Sequence, residues 1–378
     1  MSHADTATAA ELMMQFAVRT GLVPGTVPVR YLWTDAFAAC NFQTLAELGA
    51  GSPFETLAGR TVAQVHEVLG HFREDDRRRG WLRGAHGQAD EQHPTRAGLR
   101  IGKPLPERRA DEAFDDRLGW NRDGQYFHYL TRWMQALDTL ACRRGVPHLH
   151  RWACELAETA HRAFTHAARG GDLRMYWQMS TDLSRPLVAT MGQHDPLDGR
   201  VTALTLRATG QALGESFAAG LERAAKDYAA MLERCPLVTA DPLGLGGLLM
   251  DAARLERLLP ADEGTVRPLD RVLESAETSL AYGQVPLQAS AETLLGFREL
   301  GLAIGLGAVQ RLAQRGAAGP LADAPRTRQR VDRLRARAPL RSAIQAFWLK
   351  PANRAAATWT ARRDISEVML ASSLLASP

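Results

Sequence analysis

Asp123-Gly-Gln-Tyr-Phe-His-Tyr-Leu-Thr-Arg-Trp-Met-Gln-Ala-Leu-Asp-Thr-Leu-Ala-Cys-Arg-Arg-Gly-Val-Pro147 is the stretch on which the fold turns. Phe127, Leu130 and Met134 recur three and four residues apart, a spacing that puts them on one face of an α-helix. Gly145 and Pro147 break the pattern, and a second helical run opens at 148. Helix, break, helix makes a hairpin.

The same pattern extends along the chain. Residues 8–20, 35–49, 54–72, 125–145, 148–169, 199–214, 216–234, 244–258, 267–282, 290–315, 327–349 and 360–375 show helical apolar spacing or dense Ala/Leu content. Alternation of period two is nearly absent, with Val27–Leu32 the best short exception. No low-complexity linker divides the chain, so one domain over 1–378 is expected, with 73–123 an ordered loop or lid insertion. Trp81, Leu99, Ile101 and Trp120 give that loop residues to bury. Gly301, Gly305 and Gly307 suit close helix packing.

The 378 residues are 45% apolar and 23% charged, a globular composition. No apolar run is long enough to span a bilayer. The first sixteen residues carry Asp5 and Glu11 and lack a basic stretch, which argues against a secretory leader. Cys40, Cys142, Cys154 and Cys235 form no C-x-x-C pair and read as reduced core residues of a cytoplasmic protein. The net charge is +4, and only Lys103, Lys226 and Lys350 are lysines. Seven arginines lie between Arg326 and Arg341, either a solvated outer helix or a site for an anionic partner. No nucleic acid, membrane or cofactor is expected as a partner, and the pattern assigns no oligomeric state.

Three segments carry candidate chemistry. In the first, Asp123 is placed to cap the following helix, and Gln125, His128 and Arg132 share a polar face beside Tyr126. Such a face could line a sugar site, or be a capped helix with a core histidine. The second runs from Arg174 to Asp198 and holds Tyr176, Trp177, Asp182, Arg185, His194 and Asp195. His194, Asp195 and Asp198 could be turn residues, a polar substrate wall or metal ligands; no metal is assigned. The third is Asp35, flanked by Trp33 and Phe37, where desolvation would make a usable general acid or base. The alternative is a helix-start acid favoured by the dipole.

With its aromatic-acid openings at Tyr31–Asp35, Asp123–Arg132 and Tyr176–Arg185, the chain resembles the six-hairpin glycosidase-like superfamily. That group of (α/α)6 toroids includes N-acylglucosamine 2-epimerase-like proteins, unsaturated-glucuronyl hydrolases and glucoamylase-type enzymes. The resemblance implies an all-α (α/α)6 toroid acting on a small carbohydrate in a central funnel. In a glycoside hydrolase-like mechanism, Asp35, Asp123 and Asp182 would supply the acid/base pair. In a sugar epimerase or isomerase, His128 and His194 would be the proton-transfer pair. Either way Arg132 and Arg185 would orient substrate, and Trp33, Tyr126, Tyr176 and Trp177 would stack on it. A non-catalytic binding toroid is a further alternative.

Overall fold

The computed structural model describes residues 2–375 apart from 52, 114, 215–216, 260–265, 284–286, 317–320 and 322–323. The chain is all-α. Its helices are α1 (His3–Arg19), α2 (Leu32–Glu47), α3 (Pro53–Leu69), α4 (Asp116–Gly119), α5 (Phe127–Arg144), α6 (Pro147–Phe164), α7 (Asp195–Leu213) and α8 (Ala218–Leu232). There follow α9 (Pro242–Leu258), α10 (Val266–Tyr282), α11 (Gly296–Gly316), α12 (Pro325–Arg335), α13 (Ala338–Leu349), α14 (Pro351–Arg354), α15 (Ala357–Thr360) and α16 (Arg363–Leu375). Strands are two or three residues long: β1 (Arg83–Gly84), β2 (Gly87–Gln88), β3 (Gln125–Tyr126), β4 (Thr165–Ala167), β5 (Leu173–Met175), β6 (Gln178–Met179) and β7 (Pro186–Val188).

Two compact units are found. The larger comprises Ala17–Gln43 and Pro53–Cys235. In it α5 packs on α6 and α7, and α7 on α8. Phe127, Leu130, Trp133, Leu137 and Phe164 are essentially inaccessible there. Gly145 ends α5 in the left-handed region, at φ 64°, where a Cβ would be strained. The smaller unit comprises Met1–Phe16, Thr44–Ser52 and Pro236–Pro378. Here α11 is central, packing on α9, α12, α13 and α16. Trp348 and Trp359 stack at 5.1 Å beside Gly296, where a Cβ would come within 2.7 Å of the Trp359 ring.

Several local expectations need correction. The run 327–349 is two helices, because Pro339 has no N–H to donate and sits in the first turn of α13. Tyr176 opens no helix but lies in the link between β5 and β6, and β6 pairs antiparallel with β3 and β7. Val27–Leu32 forms no strand; Pro28 interrupts it and Val27 and Val29 face solvent. Cys142 is exposed, whereas the other three cysteines are buried. Trp120 is 60% exposed, although Leu99 and Ile101 are fully buried.

The segment 73–123 packs within the larger unit. Leu82, Ala89 and Ala97 join Phe72 in a small core against which Trp81 lies. In the Arg-rich helix α12, Arg330 reaches Asp270 at 3.1 Å, Glu274 at 2.8 Å and Glu277 at 2.9 Å, and Arg333 reaches Glu277 at 2.6 Å, while Arg326, Arg328 and Arg335 are exposed. Among the described residues no helix is long and apolar enough to cross a membrane.

Candidate active site

Residues 99–105 tie the start of α2 to the start of α5. The Leu32 amide donates to the Ile101 carbonyl, and the Ile101 amide to the Gly124 carbonyl. The Leu105 amide donates to Asn121, and the Asp123 amide to Leu105. Asp123 locks this strut. It is fully buried, pairs with Arg100 at 2.5 Å and accepts from the Gly102 amide at 3.0 Å, with Arg73 3.6 Å away. Gly102 is required by the same geometry: its φ is +84°, and a Cβ would lie 2.1 Å from the Arg30 carbonyl oxygen. Asp123 therefore does not cap α5, whose N-cap is Tyr126 without a side-chain bond.

Gln125 is equally committed. Its Oε1 accepts from the Leu99 amide at 2.9 Å, and its Nε2 donates to Ala97 and Thr181 carbonyls at 3.0 and 2.8 Å. Asp35 is 1% exposed, bonded to Arg30 at 3.0 Å and accepting from the Tyr31 amide at 2.8 Å. Trp33 is buried against Phe37, so its faces belong to the core. Asp182 sits in the β6–β7 turn, bonded to Ser180, Ser184 and Arg78. Burial works to raise its pKa, but the bonds from Ser184 and Ser180 and the Arg78 charge hold it below the usual carboxylate range. Arg185 lies in the same turn and donates to the Arg108 carbonyl. Each of the three expected acids is thus bound to an arginine.

A second group does come together on a partly accessible face. Strand β6 brings Trp177 beside α5: the Phe127 amide donates to the Trp177 carbonyl, and the Trp177 ring lies parallel to His128 at 6.3 Å. Tyr126 packs on Trp177 at 5.3 Å from its buried side. Tyr129 contacts His128 edge-on at 4.5 Å and shares a hydrogen bond with the Tyr31 hydroxyl. Lys103 Nζ sits 4.7 Å above the Tyr31 ring, and Trp120 flanks Trp177 at 5.8 Å. Tyr176 is engaged elsewhere, stacked on His166 at 4.0 Å.

One helical turn along α5, Arg132 bonds Asp198 at 2.9 Å, which joins this face to the first turn of α7. His194 is the N-cap residue of that helix, and Asp195 is its first residue. Burial drives the Asp195 carboxyl up to about 8; neighbouring Asp198 adds to the rise and the Gly192 amide opposes it. Asp195 is therefore largely protonated at neutral pH. Burial pulls His128 down to about 3, with the Arg132 charge acting the same way, so its imidazole is neutral. Among the described residues no group of three His, Cys, Asp or Glu is placed to hold a metal ion.

Of the expected site residues, His128, Arg132, Tyr126 and Trp177 share this face, with His194 and Asp195 at the helix joined to it by Asp198. Sequence reasoning left out Tyr31, Tyr129, Lys103, Trp120 and, as a partner of Arg132, Asp198. Tyr31 and Tyr129 were within reach of it: each stands beside a singled-out residue in an aromatic opening.

No known protein family's description matches the chain, and no curated protein matches it. Among solved structures the chain is similar to a D-mannose isomerase, at 10% identity and a TM-score of 0.47, over 88% of this chain and 85% of that one. It is also similar to the cellobiose 2-epimerase of Spirochaeta thermophila DSM 6192, at 14% identity and a TM-score of 0.43, over 86% and 84%. Likeness at this level assigns no role to any residue of this chain.

Proposed function

We propose that the chain binds a small free sugar on the Tyr31, His128, Tyr129, Trp177 face and moves a proton next to its carbonyl, as a sugar epimerase or isomerase. The observation that carries this is the placement of His128, parallel to the Trp177 ring and one helical turn from the Arg132–Asp198 pair. Aromatic faces suit sugar C–H surfaces, and the sequence resemblance names the same substrate class. His128 and His194 take and return the proton from the carbon beside the carbonyl. Arg132, held by Asp198, orients a substrate oxygen, and protonated Asp195 is a hydrogen-bond donor at the same helix start. Hydrolysis is less well supported, because Asp35, Asp123 and Asp182 each answer an arginine.

The test is to incubate the protein in D2O with D-mannose, D-glucose, cellobiose and N-acetylglucosamine and follow deuterium at C2 by NMR. Incorporation into at least one sugar is expected, lost by roughly 10²-fold or more in His128→Gln with Tm retained. Saturable binding without exchange in any sugar would leave a binding protein and defeat the enzyme assignment.

A further inference from the structure

We propose that, in the smaller unit, the C-terminal ends of α9 and α11 and the first turn of α13 form a binding site for a small phosphate-type dianion. The site is independent of the sugar face, which belongs to the larger unit. Arg315 on α11 grips Glu256 on α9 through Nε at 3.0 Å and Nη2 at 2.7 Å. Arg341 on α13 donates to Gln310 on α11 at 2.7 Å and to the Ser373 carbonyl at 2.8 Å. These contacts gather the neighbouring Arg257 and Arg311 with Arg315 and Arg341, and Arg254 adds a fifth guanidinium.

Among the described residues fewer acids than arginines bear on this cluster. Glu256 is taken by Arg315 and Asp251 by Arg254, at 3.1 Å; the charge of Asp5 bears on Arg341. Arg311 Nη1 is buried without a hydrogen-bond partner, and so is Arg341 Nε. A buried donor left unbonded is costly, more so when charged. Helix dipoles account for arginines in the last turns of α9 and α11, but not for Arg311, a turn further in. Nor do they account for Arg341, in the first turn of α13, where a cation is disfavoured. Burial and the charges of Arg257, Arg341, Arg315 and Arg254 pull Arg311 down to about 10, as expected of a guanidinium crowded by its own kind. Guanidinium forks match the oxygen geometry of phosphate, and a dianion answers the excess charge.

The experiment titrates the full chain with sodium phosphate at constant ionic strength, reading Tm and calorimetric Kd. Phosphate should bind saturably and raise Tm. Arg311→Met removes the unpartnered charge, so its Tm without phosphate should exceed that of the unaltered protein and its Kd should rise about tenfold or more. Arg257→Gln, at an exposed position, should keep the phosphate-free Tm and weaken binding about threefold or more. Glycerol phosphate in a parallel arm separates the sources: tighter binding than inorganic phosphate marks a phosphomonoester ligand, weaker binding free phosphate. An equal Tm rise with sodium chloride, or unaltered Kd in both variants, overturns the site.

Discussion

Asp195 and His128 depart from their ordinary pKa values in opposite directions, for one reason: burial penalises the charged form of each. Asp195 holds its proton in the folded chain up to about 8, whereas an unfolded aspartate releases it near 4. Between those limits the folded state binds more protons than the unfolded one, so stability falls as pH rises. Asp195→Asn should therefore be more stable than the unaltered protein at pH 8 to 9, by about 1–4 kcal/mol, and the gain should vanish near pH 4. For His128 the sign reverses. Its folded pKa is about 3, so stability is lost as pH falls below the unfolded value near 6.5. Tm measured against pH for the two variants checks both slopes; a pH-independent Asp195→Asn gain would show that its carboxyl is ionised when folded. Asp123 has a different task. Its removal would leave Arg100 buried and unpaired, so Asp123→Ala should lose about 3–5 kcal/mol in chemical denaturation. A loss of sugar turnover with stability intact would instead give Asp123 a part in the chemistry.

At the scale of elements, the helices were legible and their partners were not. The periodic runs overlap α1–α3 and α5–α11, because an apolar stripe at 3.6 spacing has no other low-energy way to be buried; the short α4 lies in the segment expected as a loop. Short strands such as β6 escaped, since two residues carry no period; what makes them is the turn at Ser180–Arg185, where Ser180 accepts from the Ser184 and Arg185 amides. Glycine spacing was more informative. A Cβ on Gly246 would stand 2.1 Å from the Gly301 carbonyl oxygen, and one on Gly305 would stand 2.6 Å from that of Gly246. Helices α9 and α11 thus meet backbone to backbone, at a distance only glycine permits. Gly246→Ala must push the two helices apart and should cost about 1–3 kcal/mol. Gly119→Ala, with open space around its Cβ, is the control that should change stability by less than about 0.5 kcal/mol. Equal effects of the two, read from denaturant midpoints, would mean that the α9–α11 contact is looser than described.

At the scale of the whole molecule, the sequence pattern singled out residue types but held no record of which of them meet. Asp35, Asp123 and Asp182 look alike in sequence, each an acid beside aromatics or polar turn residues. Arginines show them to be tied down: Arg30 stands close to Asp35 in sequence, but Arg100 and Arg78 do not stand close to Asp123 and Asp182, and contacts between residues as far apart as Arg78 and Asp182 leave no mark in a local window. The same holds for Arg132 and Asp198, whose pairing gives the proposed sugar face its second helix. The two proposed ligands also fall in different units, which makes them separable in one measurement. In hydrogen exchange read by mass spectrometry, saturating D-mannose should slow amides at 30–32, 99–105, 125–132, 177–179 and 194–202. Those segments hold the hydrogen bonds and ring contacts that a sugar on this face would clamp. Sodium phosphate should slow 252–258, 308–316 and 338–345, and leave the first set unchanged. Protection of the phosphate set by D-mannose, or of neither set by either ligand, would remove the respective site while leaving the helical architecture as it stands.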